Sequence, residues 1–91
     1  MSITWSSAAG KHGIARDEVI FAMSRAHLVV DPFGPRRAGR LRPPALYIGP
    51  SRSGTLEILA MHEPPRHIFV FHVMRLRHST AAAVGYEGEG T

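Results

Sequence analysis

The sequence predicts an α+β fold, a two-layer sandwich in which N-terminal helices pack on a three- to four-stranded antiparallel sheet. Three observations carry that expectation. Short apolar runs bounded by Gly and Pro turns recur from Ala45 to Met74, and a helical pattern led by acids precedes them. The chain has 91 residues, room for one hydrophobic core and not for two. Residues 1–84 are therefore read as one domain, and 85–91, rich in Gly and acid, as a flexible tail that frays.

Taken in order, Ile3 and Trp5 flank Thr4 in the apolar–polar alternation of a short half-buried strand. Ser6 and Ser7 are both good N-caps for a short helix over residues 8–12, ended by Gly13. A second helix is expected from about Arg16 to Ala26. Asp17 and Glu18 sit where the helix dipole favours acids, and Val19, Ile20, Met23, Ala26 and His27 follow at helical spacing. Leu28-Val29-Val30 is a brief extended segment, ended by Asp31-Pro32-Phe33-Gly34-Pro35. From Gly34 to Pro44 breakers abound without any period, so this stretch is a loop.

Residues 45–48 and 55–62 read as strands joined across the Gly49–Gly54 turn into a hairpin. Glu57 interrupts the second, which is otherwise apolar. After the turn Glu63-Pro64-Pro65-Arg66, residues 67–74 form a nearly continuous apolar strand, suited to the buried centre of a sheet. Three strands joined by short turns make an antiparallel meander, to which the first strand can add a fourth. Ser79 is placed to cap a last helical turn over residues 80–84.

Charge narrows the class of partner. The net charge is +4, but residues 1–30 carry +1, residues 31–78 carry +5 and the tail carries −2. Ten of the eleven cations are arginine, whose planar fork suits bidentate phosphate contact. Arg36, Arg37, Arg40 and Arg42 lie within seven residues on the long loop. Together with Arg52 they are the candidate RNA-binding residues. The alternative is a solvated linker, and the interleaved aromatics of a base-stacking platform are absent.

Several classes fall away. There is no cysteine, hence no disulfide and no thiolate metal site, which fits a reducing cytoplasm. The opening residues have neither a basic n-region nor an apolar h-region, so no signal peptide is expected. The longest apolar run, Ile68–Phe71, stops at His72 and is far too short to span a bilayer. The six histidines show no HExxH spacing and no accompanying carboxylate cluster, so neither metal nor cofactor is expected. Serine-nucleophile, P-loop and GxGxxG patterns are missing as well.

Metal-free RNA cleavage is one chemistry whose parts the sequence holds, and those parts are common ones. It needs a base for the 2′-hydroxyl, cations for the pentacovalent phosphate and a proton donor for the leaving 5′-oxygen. Lys11, Arg75 and Arg77 are candidate cations; His12, His72 or Glu57 is the candidate base or acid. Ideal strand alternation sets His72 on a face with Met74 and Leu76, and sets Arg75 and Arg77 on the other with Val73, Phe71 and Phe69, unless a bulge re-aims them. A hydrogen-bonded structural histidine is the competing role for His72.

The order of these pieces resembles the BrnT family of bacterial toxins. Ile3-Thr4-Trp5, Lys11-His12-Gly13-Ile14 and Asp17-Glu18-Val19 are similar to that family's opening strand, its Lys-His-Gly-Val/Ile motif and its acidic helix start. Tyr47-Ile48-Gly49 with Ser51, Gly54 and Leu56 is similar to its central hairpin. The resemblance covers residues 3–78. It implies a RelE-like fold, ribosome-independent RNA cleavage that inhibits translation and growth, and a small cognate antitoxin protein as partner, with any oligomer formed through that antitoxin. Two departures are plain. Where the family's last strand carries Ser-Ala-Arg, this chain has His72-Val73-Met74, and only Tyr86 stands near the Tyr of the family's C-terminal Glu-Arg-x-x-Tyr helix. The expected function is therefore a type II toxin acting as a metal-independent endoribonuclease, with His72, Arg75, Arg77, His12 and Lys11 as its catalytic candidates. The alternative is a non-catalytic RNA- or antitoxin-binding module on the same fold.

Overall fold

Strand pairing gathers the β-prone runs of the chain into one five-stranded mixed sheet. The computed structural model describes residues 2–36, 39 and 42–88. Its strands are β1 (Ser2–Trp5), β2 (Leu28–Val30), β3 (Ala45–Gly49), β4 (Leu56–Glu63) and β5 (His67–Arg75). Two helices, α1 (Arg16–Ser24) and α2 (His78–Val84), complete it. The strands lie in the order β1-β5-β4-β3-β2.

The meander β3-β4-β5 forms as the sequence predicts, because short Gly- and Pro-bearing turns leave consecutive apolar strands no other neighbour. The sheet departs from the expected three to four antiparallel strands at both edges. The brief segment Leu28–Val30 is a fifth strand, paired antiparallel with β3 through Leu28↔Ile48 and Val30↔Leu46. At the other edge β1 runs parallel to β5, with Ser2↔His67 and Trp5↔Val70. A parallel pair needs a long crossover, and here the whole of α1, β2, β3 and β4 serves as one.

On one face lies the main core. Val19 and Ala22 of α1 and Ala9 pack there on Leu56, Ile58, Ala60, Val70 and Val73, with Ile3 and Trp5 closing the β1 side. The helix comes so close to β3 that a Cβ built on Gly49 would stand 2.1 Å from the Ala22 carbonyl oxygen. Only glycine permits this contact between helix backbone and sheet.

The N-terminal helices are fewer and shorter than expected. Instead of a helix over residues 8–12 there is a four-residue 3-10 turn, Ser7–Gly10, capped by Ser6, whose Oγ accepts from the Ala9 amide at 3.2 Å. The turn has just enough length to drop Ala9 into the core. Helix α1 ends at Ser24 and not at Ala26, because the His27 amide bonds the Ile48 carbonyl at 2.7 Å and the sheet claims the chain.

The opposite face is set by a β-bulge. Leu59 stands opposite His72 and Ala60 opposite Val70, which leaves Phe71 as the extra residue of β5. Counting outward from the core residues Val73 and Val70, both His72 and Phe71 turn away from α1. Phe71 accordingly stacks on Phe69 with ring centroids 6.3 Å apart. The bulge corrects the simple alternation that grouped Phe69 and Phe71 with Val73.

Helix α2 reaches this second face, so helices flank the sheet on both sides and not on one. Its cap position is Arg77, with Ser79 inside the helix. Gly85 closes it at φ +68°, where the Tyr86 amide bonds back to the Ala81 carbonyl at 2.9 Å. The Tyr86 hydroxyl then hydrogen-bonds His27 Nδ1 at 2.8 Å, which ties the first residues after α2 to the start of β2. Among the described residues no helix is long and apolar enough to cross a membrane.

Candidate active site

Glu57 is the centre of the site. It sits on β4 between Leu56 and Ile58, which face the α1 core, and so points to the opposite face, where it is only 1% exposed. A carboxylate in such a place must be fully hydrogen-bonded or neutral. It is fully bonded. Oε2 accepts from Arg77 Nη2 at 2.7 Å, Arg77 Nε at 3.1 Å and His72 Nε2 at 2.9 Å, and Oε1 accepts from the Arg77 backbone N–H at 2.9 Å. The Thr80 hydroxyl on α2 adds a further donor.

Each partner arrives for a local reason. Met74 lies directly across from Glu57, which makes His72 its diagonal neighbour on the same face of the sheet. Arg77 has left β5 and adopts an extended conformation at the head of α2, so its amide is free to point at the carboxylate. The Leu76 amide holds the approach by bonding the Thr55 carbonyl at 2.9 Å.

Burial pushes the Glu57 carboxyl up. The hydrogen bonds from the Arg77 side chain and backbone, then from His72 and Thr80, outweigh burial and hold the pKa at about 2. The same contact raises the Arg77 guanidinium above its ordinary value. The sign of the stability effect follows. Because the folded pKa lies below the ordinary 4.5, the contribution is complete above pH 4.5 and drains away between there and pH 2. It amounts to about 3 kcal/mol. Urea midpoints measured from pH 6 down to pH 2.5 are expected to fall steeply below pH 4.5 in the wild type, and that step should be missing from Glu57→Gln.

The geometry fixes the chemistry that His72 can offer. An ionised carboxylate only accepts, so Nε2 of His72 carries the proton donated to Glu57, and Nδ1 is the ring nitrogen left for other partners. A quarter of the His72 side chain and about half of the Arg77 side chain remain exposed. The cluster thus presents a carboxylate-oriented base beside a guanidinium at the surface.

Of the predicted site residues, His72 and Arg77 are brought together. Arg75 is exposed at the end of β5, opposite Leu56, and so lies on the α1 face, across the sheet from His72. Lys11 and His12 are exposed just after the 3-10 turn whose Ala9 enters the α1 core, and no hydrogen bond or ion pair joins them to His72 or Arg77 among the described residues. Arg52 serves the fold: its amide bonds Glu18 Oε1 at 2.9 Å, and its guanidinium lies 3.6 Å from Glu18 and 3.9 Å from Asp17. Arg36 and Arg42 are exposed on the long loop, whereas Arg37 and Arg40 lie outside the described residues.

Glu57, one of three candidate bases or acids in the sequence, is the residue on which the cluster centres, and Thr80 is a partner the sequence did not mark. A single acid inside an apolar strand was the available signal for Glu57. No family model, no curated protein and no solved structure matches this chain. Among the described residues no group of three or more acidic or histidine side chains is placed to hold a metal ion.

Proposed function

We propose that this chain is a cytoplasmic toxin of a type II toxin–antitoxin pair, with a RelE/BrnT-like fold, acting as a metal-independent endoribonuclease. The observation that supports it is the convergence of His72 and Arg77 on the buried Glu57 carboxylate. His72 Nδ1 takes the proton from a ribose 2′-hydroxyl. The freed oxygen attacks phosphorus, the bond to the 5′-oxygen breaks, and that oxygen takes a proton from solvent. Arg77 stabilises the charge that accumulates on the phosphoryl oxygens. The products are a 2′,3′-cyclic phosphate and a 5′-hydroxyl. Arg36 and Arg42 hold the strand, and a small acidic antitoxin covers the basic surface.

Induction of the chain alone in a bacterium tests this reading. Growth should stop and total RNA should break down to fragments ending in 2′,3′-cyclic phosphate. His72→Asn keeps a donor for Glu57 and should cut more slowly by about 10²- to 10⁴-fold. Sustained growth with intact RNA at verified expression overturns the reading.

One observation favours a second function on the same surface, a non-catalytic RNA- or antitoxin-binding module. The Arg77 guanidinium already spends two N–H groups on Glu57. RNA binding without cleavage, weakening steeply as salt rises, identifies that case.

A further inference from the structure

Strand β2 is one outer margin of the sheet, last in the order β1-β5-β4-β3-β2. The outer side of an edge strand carries a row of backbone N–H and C=O groups that can pair with another strand. Proteins guard such edges with charge, proline or cover.

The two margins of this sheet are built differently. On β1, Ser2 and Thr4 turn their hydroxyls to the His67 ring at 3.1 and 2.7 Å, while Ile3 and Trp5 close the core. On β2 the sequence is Leu28-Val29-Val30, with no charged residue and no proline within it. Val29, in the middle, is 49% exposed. It pairs with Tyr47, so it lies on the α1 face of the sheet.

The residues that bound β2 are complementary. The chain enters the sheet at His27, whose amide bonds the Ile48 carbonyl at 2.7 Å. It leaves at Asp31, because Pro32 has no N–H to continue a ladder. Both side chains are exposed. Nδ1 of His27 faces the Tyr86 hydroxyl at 2.8 Å, which leaves Nε2 for a second partner.

Symmetry then selects a register. In an antiparallel pair of identical strands about a two-fold axis normal to the sheet, some residue must face its own copy. A register displaced by one residue would set opposite faces against each other. Centring on Val30 sets Leu28 against Pro32 and Val29 against Asp31. Centring on Leu28 sets Val29 against His27 and calls on Arg25, which caps α1 and lies over the Phe21 ring. Centring on Val29 sets Leu28 against Val30, and His27 of each copy against Asp31 of the other. That register alone matches apolar with apolar and donor with acceptor along its whole length.

We infer that β2 is a self-association edge, and that two copies of this chain pair their β2 strands antiparallel about Val29. The two five-stranded sheets become one of ten strands, with both α1 helices on the same face. The pairing needs no antitoxin, and it does not depend on RNA cleavage.

Sedimentation equilibrium of the full chain by itself should show monomer and dimer with a Kd of roughly 50 to 500 µM, as fits so short an interface. Val29→Lys sets two ammonium groups against each other on the axis and should weaken the dimer by about tenfold or more. Ile20→Lys makes the same charge change at an exposed position of α1 and should leave Kd within about twofold. Asp31→Lys should weaken pairing by roughly fivefold, and Asp31→Lys with His27→Asp, which exchanges the charges, should restore it. All these side chains are exposed, and the melting temperature of each variant separates loss of pairing from loss of fold. A chain still monomeric at about 1 mM overturns the inference, as does a Kd unmoved by Val29→Lys. So do species that grow beyond the dimer, which head-to-tail pairing of β1 with β2 would give. A loss in Asp31→Lys that the charge exchange leaves in place overturns it as well, because the register is part of it.

Discussion

Glu57→Gln is expected to destabilise the protein by about 3 kcal/mol or more, the largest effect of any conservative substitution at the site. The amide keeps the shape of the side chain but removes the charge that compensates Arg77. It also places an NH₂ group against donors from Arg77, His72 and Thr80, all of which need an acceptor. In a chain of this size that loss should lower the melting temperature by roughly 10 to 20 °C. Calorimetry or thermal circular dichroism gives the number. The pair need not be a net stabiliser for this to hold, because the cost comes from leaving one ion behind. A double variant, Glu57→Gln with Arg77→Met, should accordingly recover part of the loss. Additive effects in that cycle would show that the two side chains do not act as a pair.

Gly49→Ala is the second large effect. The new methyl would lie 2.1 Å from the Ala22 carbonyl oxygen and 2.8 Å from its carbonyl carbon. Both atoms belong to the backbone of α1, so no rotamer change relieves the overlap. The helix must lift from β3, and lifting it opens the packing of Val19 and Ala22 on Leu56 and Ile58. The expected cost is about 3 kcal/mol or more, since overpacking that moves backbone lies at the upper end of its range. Chemical denaturation measures it. Gly54→Ala makes a useful comparison: the added methyl meets no atom within 4 Å, and its cost comes only from the backbone at φ +106°. A Gly49 variant no less stable than wild type would mean that α1 does not rest on β3 as described.

The parts of this fold that the sequence made legible are those that local chemistry decides. Three apolar runs separated by Gly- and Pro-bearing turns could hardly become anything but the β3-β4-β5 meander. The acids at positions 17 and 18 marked the start of α1 correctly. Features decided by distant partners were not legible. Parallel pairing of β1 depends on which edge of the sheet remains open once β2 has taken the other. The end of α1 depends on a hydrogen bond from His27 to β3.

The site divides the same way. Strict alternation put His72 and the two arginines on opposite faces, and for Arg75 that separation stands. Arg77 escapes it because the chain has left the strand by then, and Glu57 gathers it to His72. An acid within an apolar strand marks a position that must find cations. Which cations it finds is a matter of register.

The parallel edge strand also bears on how the chain is made. Ser2 pairs with His67 and Trp5 with Val70, so β1 leaves the ribosome well before β5, its neighbour in the sheet, exists. At ordinary synthesis rates the partner follows roughly 3 to 13 seconds later. Meanwhile the Ile3 and Trp5 side chains have no sheet to cover. The hairpins of β2 to β5 can close among themselves as they emerge. Within this sheet the strand made first is thus the last that can dock, onto strands that follow it in the chain.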